Sequence, residues 1–198
     1  MGFFSTILLV MNSETYTLFF ALLAVSLSIL VVAVGLFAIV DRSDRFGVVG
    51  SIQSLSLELA AAVAITATAG SLFFSSSLGF VPCSLCWVQR GFMYPAAFLL
   101  TAGFIGRKVG SSSAKKMANW AIGLAGVLAG FGFPVSVYHR VDQAVERGTG
   151  FCDAVNPCSS QWVNHFGFMT IPTMAGIAFV GIGLLVGLFF WGHRISNV

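Results

Sequence analysis

The chain has 198 residues, of which 57% are hydrophobic and only 9% charged, with a net charge of +3. A water-soluble domain carries about 25% charged residues to cover its surface, so this composition points to an integral membrane protein. The few basic residues form no dense patch, which leaves nucleic-acid binding without a footing.

Crossing roughly 30 Å of hydrocarbon takes about 20 apolar residues as a helix, because a lone strand would leave its backbone groups unpaired. Five windows meet that length. Thr17–Val40 carries no charge in 24 residues, and Leu59–Phe80 none in 22. Trp87–Gly106 holds one, Arg90, near its start, whereas Met117–Val137 and Phe166–Trp191 hold none. No Lys or Arg precedes the first window, so Thr17–Val40 is expected to be a retained helix and not a cleaved signal peptide, with Met11 as an alternative start.

Five helices divide the connections between two sides. One side receives Arg42, Arg45, Arg107, Lys108, Lys115, Lys116 and Arg194, and the other Arg90, Arg140 and Arg147. Basic residues concentrate in cytoplasmic loops. Seven against three therefore predicts a cytoplasmic C-terminus, with the N-terminus and the segments holding Cys83, Cys86, Cys152 and Cys158 on the extracytoplasmic face.

Between the spans, Gly110-Ser-Ser-Ser reads as a flexible link. Gly148-Thr-Gly150 and Asn156-Pro157 break the loop on either side of Cys152. Ser159 or Ser160 is predicted to cap a short surface helix with Trp162, Val163 and Phe166 on one face.

The four cysteines fall in two close pairs. As structural clips, rings this small contribute only about 2–2.5 kcal/mol each. As a Cys₄ zinc site they would need every thiol reduced, and five residues separate the second pair instead of two to four. A redox relay suits short rings that open and close, and four cysteines allow three pairings.

Arg90 favours the relay. On a helix starting near Cys86 it lies one turn deeper on the same face, where a cation favours the reactive thiolate. Burying an arginine costs about 2.5–3.5 kcal/mol at mid-membrane, so such charges usually have a function. Snorkelling of Arg90 to the headgroups is the plainer alternative.

"PCSLCWVQRGFMYP" resembles the first cysteine loop of the DsbB-type membrane disulfide oxidoreductases, especially their Gram-positive BdbC branch. The resemblance continues through Tyr138-His139 and Gln143, the Cys152 and Cys158 pair, and "FGFMTIPTMAGIAF", covering roughly Gln53 to the end. It implies an all-α four-helix transmembrane bundle over 51–198, with cysteine loops at 79–90 and 138–165. Residues 1–50 add one helix at the front and a cytoplasmic connection.

The resemblance further implies electron flow from an extracytoplasmic thioredoxin-fold, DsbA-like thiol oxidase to a membrane quinone, menaquinone rather than ubiquinone. Cys152 would form the mixed disulfide with the partner, with Cys158 as its mate, and the pair would pass electrons to Cys83 and Cys86. Arg90, Cys86, His139 and Trp87 would contact the quinone. Trp87 and Tyr94 also suit an interfacial aromatic belt, and His139 an interfacial histidine. His165 reads as a loop residue, Asp153 and Glu146 as loop solvation, and His193 as cytoplasmic. A vitamin K epoxide reductase-like enzyme would place its CxxC after the loop pair, the reverse of the order here. A scaffold with structural disulfides is the non-catalytic alternative.

Overall fold

The computed structural model describes residues 13–40, 55–145, 152 and 157–195, with side chains to Ala33 in the first segment and to Trp191 in the last. Arg42, Arg45, Glu146, Arg147, Gly148–Gly150, Asp153 and Asn156 lie outside the described residues, as does Met11. Five helices run in order: α1 (Ser13–Val40), α2 (Ser56–Ser76), α3 (Ser84–Val109), α4 (Ser112–Val145) and α5 (Ile171–Ile195).

Among the described residues, α1, α2, α4 and α5 are long and apolar enough to cross a membrane. α3 falls short of that measure because Gln89, Arg90, Tyr94, Arg107 and Lys108 dilute its apolar run. It nevertheless lies inside the bundle, packed on both α2 and α4. The protein is thus a helical, multi-pass membrane bundle: α2 to α5 form its body and α1 packs mainly against α5.

The seam between α3 and α4 organises this body. The buried stripe on α4 runs through Ala118, Ile122, Ala125, Ala129, Gly132, Ser136, His139 and Gln143 in alternating steps of four and three, with Asp142 buried beside it. On α3 the stripe is Leu85, Gln89, Met93, Ala96, Leu100 and Gly103. A repeat of this kind keeps one stripe facing its neighbour along the whole helix. Small residues replace bulk where lipid supplies no hydrophobic drive and close backbone approach must supply packing. A Cβ on Gly103 would stand 2.6 Å from Ile122, and one on Gly132 would run into the Phe179 ring of α5.

The expected flexible link at Gly110–Ser113 shrinks to Gly110 and Ser111. α4 begins at Ser112, where the Lys115 amide bonds to the Ser111 carbonyl at 3.1 Å. At about 1.5 Å per residue, the 34 residues of α4 extend about 51 Å, well beyond the hydrocarbon. Tyr138, His139 and Gln143, read from sequence as loop, therefore ride on the last turns of α4. Loss of apolar character ended the window at Val137, but nothing in "YHRVDQAV" breaks a helix.

The expected surface helix over 160–166 is absent. His165 and Met169 instead exchange both backbone bonds, at 3.0 and 2.9 Å, across a tight turn. Phe166 and Gly167 there take φ of 57° and 75°, a left-handed conformation incompatible with a continuing helix. Val163 and Met169 anchor the loop by burial, while Trp162 stacks on Phe80 with ring centroids 5.2 Å apart.

Replacing Gly132 with Leu should destabilise the bundle by about 1–3 kcal/mol through overpacking against Phe179. Thermal unfolding in detergent measures this, and the exposed neighbour Phe131→Leu should leave the midpoint near wild type.

Candidate functional site: two cysteine pairs at one end of the bundle

Cys83 caps α3. Its backbone is extended (φ −73°, ψ 172°), and its Sγ accepts the Cys86 amide at 3.4 Å, serving an N–H that the first turn leaves unpaired. The three-residue spacing then turns the Cys86 Sγ back to 3.0 Å from the Cys83 Sγ.

Over this pair sits the Cys152–Cys158 disulfide. Cys83, Leu85 and Cys158 form one buried cluster, with Cys86 and Cys152 packed against it. Cys158 is 1% exposed, whereas Cys152 is partly open. With this pair joined, the four thiolates of a Cys₄ metal site are not available together.

His139 connects the two pairs. It is buried, its Nε2 lying 3.6 Å from Cys83 Sγ and 3.3 Å from the Cys158 carbonyl oxygen. Ser136, one turn before it, accepts a 3.0 Å bond from Gln89 of α3, locking the two helices at this level. Gln143, one turn beyond, donates to the Ser160 carbonyl at 3.4 Å, and Gln161 donates to the Gln143 carbonyl at 3.3 Å. The cysteine-bearing loop is therefore tied to α4 at Cys158 and just beyond it.

These contacts make Cys83 an unusual thiol. It precedes α3 and lies outside the span. The sulfur–sulfur hydrogen bond with Cys86 is the main cause that pulls it down to about 4, with the His139 ring adding to the effect and burial opposing it. The ring nearest Cys83 is thus that of His139, while Arg90 shares a cavity with Cys86, as the helical spacing suggested.

Arg90 reaches sideways. Its Nε donates to Ser71 Oγ at 3.0 Å and its Nη2 to the Ser71 carbonyl at 2.8 Å, with Tyr94 Oη 3.3 Å from the same hydroxyl. A guanidinium in apolar surroundings needs its fork of donors satisfied, and the nearest acceptors belong to α2. The Arg90 guanidinium also lies 5.2 Å from the centre of the Trp87 ring.

Cys86 and Arg90 open onto a cavity of about 350 Å³, walled by α1, α2, α3 and α5 and overwhelmingly apolar. That volume falls among small-molecule sites. Trp87 does not line it; 60% exposed, it faces out of the bundle. His139 lies instead in a small cleft with Cys83 and Cys86. His165 is a loop residue whose Nε2 is 2.9 Å from Thr17 Oγ1 of α1.

Asp142 was missed by sequence reasoning. It is 3% exposed, neither carboxylate oxygen has a hydrogen-bond partner among the described residues, and its oxygen lies within 4.8 Å of both disulfide sulfurs. Its signal was the spacing His139, Asp142, Gln143, one helical face that becomes visible once α4 is continued past Val137.

A helical membrane bundle that stacks a disulfide on a second, closely spaced thiol pair defines a thiol–disulfide exchange protein. Comparison with known proteins agrees. The family model "Disulfide bond formation protein DsbB" matches residues 53–189. The chain belongs to that family and is a membrane disulfide oxidoreductase.

It is similar to a probable disulfide formation protein of Oceanobacillus iheyensis, 40% identical over 62% of this chain and 79% of the relative. Disulfide bond formation protein C of Bacillus subtilis is 39% identical over 60% and 80%. Probable disulfide formation protein C 1 of Bacillus cereus is 35% identical over 67% and 89%. No solved structure matches the chain.

In reduced protein the thiolate absorbance of Cys83 should persist from pH 8 down to about 5, where an ordinary thiol has long been protonated. A pKa below the usual value keeps the charged form as pH falls, until about 4 is reached. Replacing His139 with Phe should move this midpoint upward, read by ultraviolet pH titration of a Cys152→Ser, Cys158→Ser protein.

Proposed function

We propose that this protein reoxidises a thioredoxin-fold, DsbA-like thiol protein and delivers the electrons to a membrane quinone. The supporting observation is the juxtaposition of the groups. The Cys152–Cys158 disulfide packs on Cys83, and Cys86 opens on its other side into an apolar cavity containing Arg90.

A thiolate of the partner attacks Cys152, the more open sulfur, and the Cys152–Cys158 bond breaks. The partner's second thiol then displaces Cys152, leaving the partner oxidised and Cys152 and Cys158 as a dithiol that holds two electrons. Cys158 next attacks the Cys83–Cys86 disulfide at Cys83, with which it shares a buried cluster, and Cys86 departs as the leaving thiolate. Closure of Cys152 on Cys158 restores the loop disulfide and leaves Cys83 and Cys86 reduced.

His139, in reach of Cys83 and the Cys158 backbone, holds the loop over the acceptor sulfur and takes up the proton of the thiol being consumed. A quinone supplies a two-electron, two-proton acceptor soluble in the bilayer. Arg90, held by Ser71 beside Cys86, stabilises the negative charge that develops on the acceptor's oxygens. The cavity fits such a molecule in size, in its apolar walls and in carrying its reactive and cationic groups together. Menaquinone is the expected form, on the resemblance to the Gram-positive branch. The excess of basic residues at the opposite end of the bundle supports an extracytoplasmic position for all four cysteines.

The test is anaerobic mixing of the purified protein with a reduced thioredoxin-fold partner and a soluble quinone, followed by quinone absorbance. One quinone should be reduced per partner disulfide formed. Cys86→Ser should abolish reduction while the protein still accumulates in membranes. Loss of abundance, with a wild type inert toward quinone, would indicate a structural scaffold instead. Arg90→Ala should raise the quinone KM about tenfold or more and leave the partner KM unchanged. In Cys158→Ser, a mixed disulfide with the partner should form through Cys152, and one formed through Cys83 would reverse the order of the relay.

A further inference from the structure

The family match begins at residue 53, so α1 lies outside it. By burial α1 is the loosest of the spanning helices: 17% of its span is buried, against 33% in α2 and 39% in α5. Yet Phe20, Leu23, Ala24 and Leu27 all line the cavity that holds Cys86 and Arg90. Their spacing is that of one helix face, so α1 presents a continuous apolar strip to it.

The strip is seated at several heights. Phe20 lies over Gly70 of α2, where a Cβ would stand 2.7 Å from its ring, and it meets Phe74 edge-on with centroids 5.3 Å apart. Tyr16 packs on Phe73 at 4.8 Å. Lower down, Leu27 approaches Gly181 of α5, where a Cβ would come within 3.2 Å. Thr17 bonds His165 of the cysteine-bearing loop. α2 and α5 thus offer glycines where α1 comes closest, which is the pattern of built helix packing.

Without α1 the cavity would be a groove between α2 and α5, open to lipid. With it, the site has a polar end, formed by Cys86, Gln89 and Arg90, and an apolar length running from Phe20 toward Leu27, about 10 Å at 1.5 Å per residue. A flat, electron-accepting ring with an apolar chain matches both parts.

We propose that α1 is a wall of the quinone site. Phe20, Leu23, Ala24 and Leu27 bind the acceptor and the first units of its isoprenoid chain, so that this added helix sets quinone affinity and chain-length preference. The proposal rests on the quinone reading above.

The test uses the full-length protein in lipid nanodiscs with a photoreactive azidoquinone bearing an isoprenoid chain, and adducts are mapped by mass spectrometry. Adducts are expected in Ser13–Ala33 as well as near Cys86. Ala24→Phe, which fills the cavity, should deplete the α1 adducts and raise the KM for long-chain quinone about tenfold, with the KM for the thiol partner unchanged. Leu23→Ala should shift the same KM more gently, and Leu22→Phe on the lipid-facing side should not shift it. Adducts confined to α2, α3 and α5, together with a KM within about twofold of wild type in both cavity variants, would overturn the wall while leaving quinone reduction intact. A wild type that neither reduces nor is labelled by any quinone would overturn the parent reading and the wall with it.

Discussion

Everything at the cysteine end depends on the close seam between α3 and α4. Its stripe of Ala, Gly and Ser brings two helix axes near enough for Gln89 to bond Ser136, and that bond sets His139 at the level of Cys83. The histidine and the cysteine are 56 residues apart in the chain. A bulkier seam would separate the helices by the width of a side chain and carry His139 out of reach of the thiols. Packing in the apolar layer is thus a condition for chemistry above it.

Two cationic or protonatable groups then divide the work by position. His139 is aimed at the buried thiols and at the backbone of the loop that covers them. Arg90 is held by Ser71 at the wall of the cavity that Cys86 also lines. Asp142 adds a third buried polar group, a carboxyl beside the loop disulfide with no hydrogen-bond partner among the described residues.

α1 shows how an appended helix can be absorbed into an existing site. It needs few contacts with the bundle, because two glycines, Gly70 and Gly181, let Phe20 and Leu27 settle against it. The side chains between them face the cavity and not the helix packing, which is why so little of α1 is buried while so much of its inner face borders the site.

The sequence by itself determined the class and much of the placement: apolar run lengths marked the spans, alternation put both cysteine pairs at one end, and the motif from Pro82 to Pro95 marked the family. These are local properties, set by transfer of one segment into lipid and by spacing along one helix. Only the tertiary structure decided what stands opposite each residue. It turned Arg90 toward Ser71, brought His139 and Asp142 to the cysteines on an α4 that outlasts its apolar run, and replaced a supposed surface helix with a tight turn at Phe166 and Gly167. Partners across a helix seam are selected by the fit of two whole faces, and neither face alone contains that information.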